Sequence, residues 1–135
     1  MQIAPYLSFK GDCEAAFTLY ATCLGGQIGP LFRYSGSPMA KDVPADWGDK
    51  LMHASMTAPG LTLMGADQPP DQYEAPKGFS LSIHLSSVAD AERIFLDLAR
   101  DGHVQMPLQE TFWAARFAVL VDRFGIPWSI NCDNR

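Results

Sequence analysis

The feature that most constrains this chain is that it repeats its own pattern. Residues 5–20, PYLSFKGDCEAAFTLY, match residues 80–95, SLSIHLSSVADAERIF, at a constant offset of 75, which sets Ala16 on Ala91 and Tyr20 on Phe95. Gly60, ahead of one strand pattern, matches Gly125 ahead of another. Identity between the halves is slight; the agreement lies in period and end signals. Burial constrains those more tightly than residue identity, so pattern is where a duplication stays visible.

Each half reads as strand, helix, strand, strand, strand. In the first, residues 3–10 read as a strand with Pro5 near its start. A helix follows: Asp12 stands as its cap, Cys13, Ala16, Phe17, Tyr20 and Leu24 recur at the spacing of one buried face, and Gly25-Gly26 ends it. Residues 28–34 predict a second strand, 35–49 a long loop of the kind that forms lids or binding loops. Residues 50–58 and 61–67 predict two strands around the Pro59-Gly60 turn signal. After a Pro-rich linker, 68–78, residues 79–86 alternate: Phe79, Leu81, Ile83 and Leu85 against Ser80, Ser82, His84 and Ser86. Ser87 and Asp90 form a capping pattern for a helix with the stripe Val88, Ala91, Ile94, Phe95 and Leu98, stopped by Gly102. Strands near 103–106, at 115–121 and at 126–131 complete the half, the last two joined by 122–125. The expectation is one domain over 1–135, α+β, made of two tandem βαβββ modules at about 1–70 and 78–135.

Composition narrows what such a domain can do. With 15 acidic against 10 basic residues the net charge is −5, and Arg93, Arg100, Arg116 and Arg123 are scattered among acids, so no basic stripe exists for nucleic acid. At 47% apolar and 19% charged, the chain can bury a core and is not disordered. No run approaches the roughly 18 apolar residues of a membrane helix. MQIAPYLSFKGD lacks the basic start and unbroken apolar stretch of a signal peptide. Cys13, Cys23 and Cys132 are odd in number and fit no disulfide framework, which predicts reduced thiols and a cytoplasmic protein. A Gly-rich phosphate loop is also missing, and with it the anion cradle of nucleotide-dependent transfer.

The tandem order, together with KLMHA (50–54), MPLQETFWAARF (106–117) and DRFGIPWSINC (122–132), resembles the vicinal oxygen chelate superfamily, and within it the PhnB-like branch of the glyoxalase/bleomycin resistance protein/dioxygenase type. The resemblance implies two modules whose sheets curl around a concave pocket, commonly completed in a homodimer. It covers both metal-dependent isomerases, lyases and dioxygenases and metal-free proteins that sequester drugs. Architecture follows from such kinship; activity does not.

The resemblance also implies one metal ligand on the first and one on the last strand of each module, usually histidine or glutamate. Aligned to that pattern, the positions fall at Pro5, Met64, Ser80 and Ser129. Proline has no donor, thioether sulfur is too soft for a hard ion, and neutral hydroxyls bind weakly. No cofactor and no metal are therefore expected. Among the histidines, His53 lies in the recognised KLMHA run and is the best pocket candidate. His84 shares the face of Ser80 and Ser82 and reads as facing either the concave side or, being near the strand end, solvent; His103 reads as a surface residue.

ETFWAARF (110–117) supplies the other candidates. Glu110, Trp113 and Arg116 put an acid, an indole and a guanidinium close together on what reads as an extended strand. Trp113, Phe117 and Trp128 either form an aromatic wall, with Arg116 pairing with an anionic ligand group or with Glu110 and Asn131 beside Trp128 supplying a neutral hydrogen bond, or the tryptophans are core or dimer-interface residues and Arg116 makes a structural salt bridge. Two readings stand: a small-molecule-binding protein lined by these residues, and a lyase, isomerase or dioxygenase using His53 and Glu110 as acid/base groups, with or without a divalent ion.

Overall fold

The computed structural model describes residues 1–133. Its contacts divide the chain into two units that meet at Ala75 and Pro76, inside the Pro-rich stretch. The fold class is α+β, and each unit is one βαβββ module with its own mixed sheet.

The first unit contains β1 (Tyr6–Phe9), α1 (Cys13–Leu24), β2 (Gln27–Ile28), β3 (Phe32–Arg33), β4 (Leu51–Ala58) and β5 (Leu61–Asp67). Its strand order is β1-β5-β4-β2, with β3 also on β4; β1 runs parallel to β5, and the other pairs are antiparallel. The single strand expected at 28–34 is two short ones. Pro30 has no N–H to give the ladder, and the chain leaves β4 there before rejoining it at Phe32, opposite His53.

The second unit contains β6 (Leu81–Leu85), α2 (Val88–Ala99), β7 (His103–Gln109), β8 (Arg116–Val121) and β9 (Pro127–Cys132). Its order, β6-β9-β8-β7 with β6 parallel to β9, repeats that of the first. β7 runs further than expected. It tolerates Pro107 because it is an edge strand with register shifts on either side of Met106.

The helices keep the offset of 75, since Cys13–Leu24 maps onto Val88–Ala99. The first strands do not. Three residues, Lys10, Gly11 and Asp12, connect β1 to α1, whereas only Ser86 and Ser87 connect β6 to α2. The strands therefore superpose at 76, which sets Tyr6 on Ser82 and Leu7 on Ile83. Sheet register agrees: Tyr6 lies opposite Met64 and Ser82 opposite Ser129. A one-residue slip on a strand exchanges its two faces, so this difference decides which side chains are available to a ligand.

Two buried carboxylates, neither singled out in the sequence, hold the modules in shape. Asp67 Oδ1 accepts the N–H groups of Gly11 (3.0 Å) and Cys13 (2.9 Å), and Oδ2 accepts that of Leu51 (2.9 Å). The residue is 1% exposed. It takes over at the start of α1 the role expected of Asp12, whose side chain makes no cap hydrogen bond there. A carboxylate at a helix N-terminus also opposes the positive end of the helix dipole. Asp122 does the same work in the β8–β9 turn, with Oδ1 accepting from Phe124 and Ile126 and Oδ2 from Trp128 Nε1 at 2.9 Å. Ser87 caps α2 as its sequence pattern predicts, accepting from the Asp90 N–H.

The 35–49 loop is anchored. It holds two short 3-10 helices, Ala40–Asp42 and Ala45–Trp47, and buries Trp47 beside Tyr34, whose hydroxyl donates to the Asp67 carbonyl. Cys13, Cys23 and Cys132 are buried and form no disulfide. Burial, then the charges of Asp67, Asp12 and Glu14, push the Cys13 thiol far up from its ordinary value, which leaves it protonated and unreactive. Among the described residues no helix is long and apolar enough to cross a membrane.

Candidate functional site

In each module one face of the sheet carries the helix and the other is turned away from it. On the first, Leu7, Phe9, Ala54, Met56 and Leu63 are buried under α1. Alternation sends Tyr6, His53, Ser55 and Met64 to the opposite face. There Tyr6 Oη stands 3.0 Å from His53 Nδ1. The Tyr6 and Phe32 rings flank the imidazole at centroid distances of 5.7 and 6.1 Å. Both aromatics stay half exposed, Tyr6 at 52% and Phe32 at 50%. Desolvation by burial raises the Tyr6 phenol above its ordinary value, so it remains a hydrogen-bond donor.

On the second module the corresponding face carries Ser82, His84, Phe117, Ser129 and Asn131. Ser129 Oγ donates to Ser82 Oγ at 2.9 Å, and Ser82 Oγ lies 3.1 Å from His84 Nε2. Asn131 stands between His84 and Phe117 in the register. It accepts a 3.1 Å hydrogen bond from Trp113 Nε1. The Trp113 ring meets Phe117 at 5.1 Å and Phe112 at 4.8 Å, both edge to face. Trp113, Phe117 and Asn131 are thus brought together.

Three expectations about this region are corrected. Residues 110–115 are not a strand but the loop between β7 and β8, closed by Thr111 N–H to the Ala114 carbonyl and Ala114 N–H to Thr111 Oγ1. Parity counted through that loop therefore misplaces Arg116. It opens β8 opposite the buried Cys132, on the side of Ala118 and Leu120, and faces α2, where its Nε lies 3.9 Å from Glu92; its Nη1 donates to the Ala115 carbonyl. Its ion-pair partner is Glu92 rather than Glu110, which sits exposed at the start of the loop. Trp128 does not stand in a wall with Trp113. It is 1% exposed, on the helix side, and tied to Asp122.

Tyr6 and Phe32 were not singled out from the sequence. The apolar pair Leu7 and Phe9 was the available signal for Tyr6, since it assigns the alternate positions to the other face. Nothing local signals Phe32, because its strand exists only through pairing with β4.

The same geometry tests the divalent ion that the resemblance implies. Adjacent on the helix-free faces are Tyr6 with Met64 and Ser82 with Ser129. Tyr6 and Ser82 replace the expected Pro5 and Ser80, which lie just before the paired strands. A phenol, a thioether and two hydroxyls do not fit an ion that takes imidazole and carboxylate ligands. Among the described residues no three His, Cys, Asp or Glu side chains gather into a metal-holding group.

Two modules of this order, with parallel first and last strands and a polar-aromatic face opposite each helix, define a tandem βαβββ protein. The chain belongs to the Glyoxalase/Bleomycin resistance protein/Dioxygenase superfamily, whose family model matches residues 2–130. It is 33% identical to Protein YjdN of Escherichia coli (strain K12), over 97% of this chain and 95% of that one. Protein PA1353 from Pseudomonas aeruginosa is 46% identical with a TM-score of 0.89, over 100% of this chain and 99% of its own. A Bacillus cereus PhnB protein, described as a putative 3-demethylubiquinone-9 3-methyltransferase, shares the fold at 23% identity with a TM-score of 0.84, over 98% and 99% of the two chains.

Proposed function

We propose that this chain is a small-molecule-binding protein of the glyoxalase/bleomycin resistance type, PhnB-like, which takes its ligand on the helix-free sheet faces and does not use the superfamily's usual metal ion. The observation that carries this reading is Trp113. An indole held at 48% exposure by a hydrogen bond to Asn131, with Phe112 and Phe117 against its edges, is an aromatic surface kept on display. Burial of such a ring would stabilise the fold, and aromatic side chains with a few polar anchors are what small-molecule sites are made of. The donor chemistry of Tyr6, Met64, Ser82 and Ser129 supports the metal-free half of the reading.

Intrinsic fluorescence tests it, because Trp47 and Trp128 are buried and Trp113 is the exposed tryptophan. A panel of small aromatic carboxylates, phosphonates and ketones is expected to contain compounds that quench saturably in the wild type and not in Trp113→Phe. Binding should be unchanged by magnesium, manganese, nickel or zinc chloride. A panel without any quencher, or one that binds only with a stoichiometric divalent ion, would overturn the reading.

The protein is further proposed to be a cytoplasmic homodimer. Exposed Ile3, Phe79, Leu96 and Phe112 are apolar surface of the kind a partner copy covers. A stable dimer would bury above about 2,000 Å². Sedimentation giving only the 14.8 kDa species at micromolar concentration would refute it.

A further inference from the structure

Tyr6 and His53 are 47 positions apart and meet because β5 lies between β1 and β4. Their contact has a preferred direction. The imidazole nitrogen lone pair is a stronger acceptor than a phenol oxygen, whose electrons are drawn into the ring, so the Tyr6 O–H donates to Nδ1. In a neutral histidine the nitrogen that accepts a hydrogen bond cannot carry the proton, and the other one must.

We infer that Tyr6 is a positioning residue that holds neutral His53 as the Nε2–H tautomer, making the first module's helix-free face a site for a carbonyl or carboxylate oxygen carried on a flat apolar body. Nε2–H is the donor for that oxygen. The half-exposed Tyr6 and Phe32 rings, 5.7 and 6.1 Å from the imidazole and tilted 35° and 43° to it, are the apolar flanks for the body. The same tautomer disfavours a metal role for His53. Ligating histidines usually donate their second N–H to a carboxylate, a backbone carbonyl or water, whereas here the second nitrogen faces a hydroxyl that is itself the donor. The inference rests on the small-molecule reading and names, within it, the chemistry one face selects.

The test uses the full chain labelled with nitrogen-15 and sodium benzoate as the probe. Long-range proton–nitrogen spectra of the wild type above pH 7.5 are expected to show a pyridine-like Nδ1 and a pyrrole-like Nε2 for His53. Tyr6→Phe should mix the tautomers while leaving the melting temperature nearly unchanged. Benzoate should move the His53 resonances and bind about twofold more weakly to Tyr6→Phe, the loss expected when about half of the imidazole is left in the other tautomer. His53→Gln, which keeps an amide N–H, should retain much of the affinity that His53→Phe loses. Zinc chloride should leave the His53 signals in place. A pyrrole-like Nδ1 in the wild type, or zinc on Nε2, overturns the inference whatever the probe does. Quenching of Trp113 by benzoate without movement of His53 overturns it and leaves the wider reading standing. If neither residue responds to benzoate or to any other compound in the panel, both fall.

Discussion

Replacing Asp67 by asparagine or alanine should cost more than any other single polar change in the first module. The carboxylate satisfies three backbone N–H groups, and those of Cys13 and Leu51 are buried. In Asp67→Asn the amide oxygen can keep Gly11 and Cys13, but the NH₂ group then points at the Leu51 N–H. One hydrogen bond to a charged acceptor is lost and one buried donor is orphaned, for about 2–3 kcal/mol. Asp67→Ala strands two buried donors and a half-buried one, for about 4–6 kcal/mol, out of a total stability on the order of 5–15 kcal/mol. At roughly 4 °C per kcal/mol for a chain of this length, the asparagine variant should melt about 8–12 °C lower. Urea unfolding followed by circular dichroism checks this: the midpoint should fall in both variants with an unchanged slope. An asparagine variant within about 0.5 kcal/mol of the wild type would refute the assignment of Asp67 as the brace of this module, since typical surface changes are that small.

Gly102→Ala should destabilise by about 1–3 kcal/mol, because its Cβ would stand 2.5 Å from the Val121 carbonyl oxygen; equal thermal melts would refute this. Arg116→Ala should lower stability by no more than about 1 kcal/mol, as befits a partly exposed ion pair with Glu92, and should leave quenching of Trp113 unchanged; a large loss of ligand affinity would return Arg116 to the site. Two hydrogen bonds from Arg33, each 3.0 Å, hold the Glu14 carboxyl below its ordinary value. A carboxylate depressed in the folded state adds stability at pH above the unfolded value, and that contribution disappears as pH falls through the folded one. Carbon-13 titration should therefore give a Glu14 midpoint below that of an ordinary glutamate, and Arg33→Gln should raise it. The stabilities of wild type and variant should converge in acid.

What this sequence determined by itself was local. The two helices, their offset of 75 and the serine cap of α2 follow from period and end signals a few residues apart, and those forces act the same way in any context. The order of elements along the chain was legible for a related reason, since the same pattern occurs twice; the order of the strands in each sheet came only from the structure. Tertiary structure alone decided the faces. A connection of three residues in one module and two in the other set Tyr6 where Pro5 was expected, while Ser82 took the place of Ser80 on the same face, and a loop read as strand sent Arg116 to α2. A strand has a period of two, so any miscounted residue turns a ligand-facing side chain into a core-facing one. The buried braces were equally out of reach. Asp67 gathers donors 56, 54 and 16 positions away, and Tyr6 meets His53 across 47; partners that distant are chosen by the packing of the sheet, and no local pattern carries them.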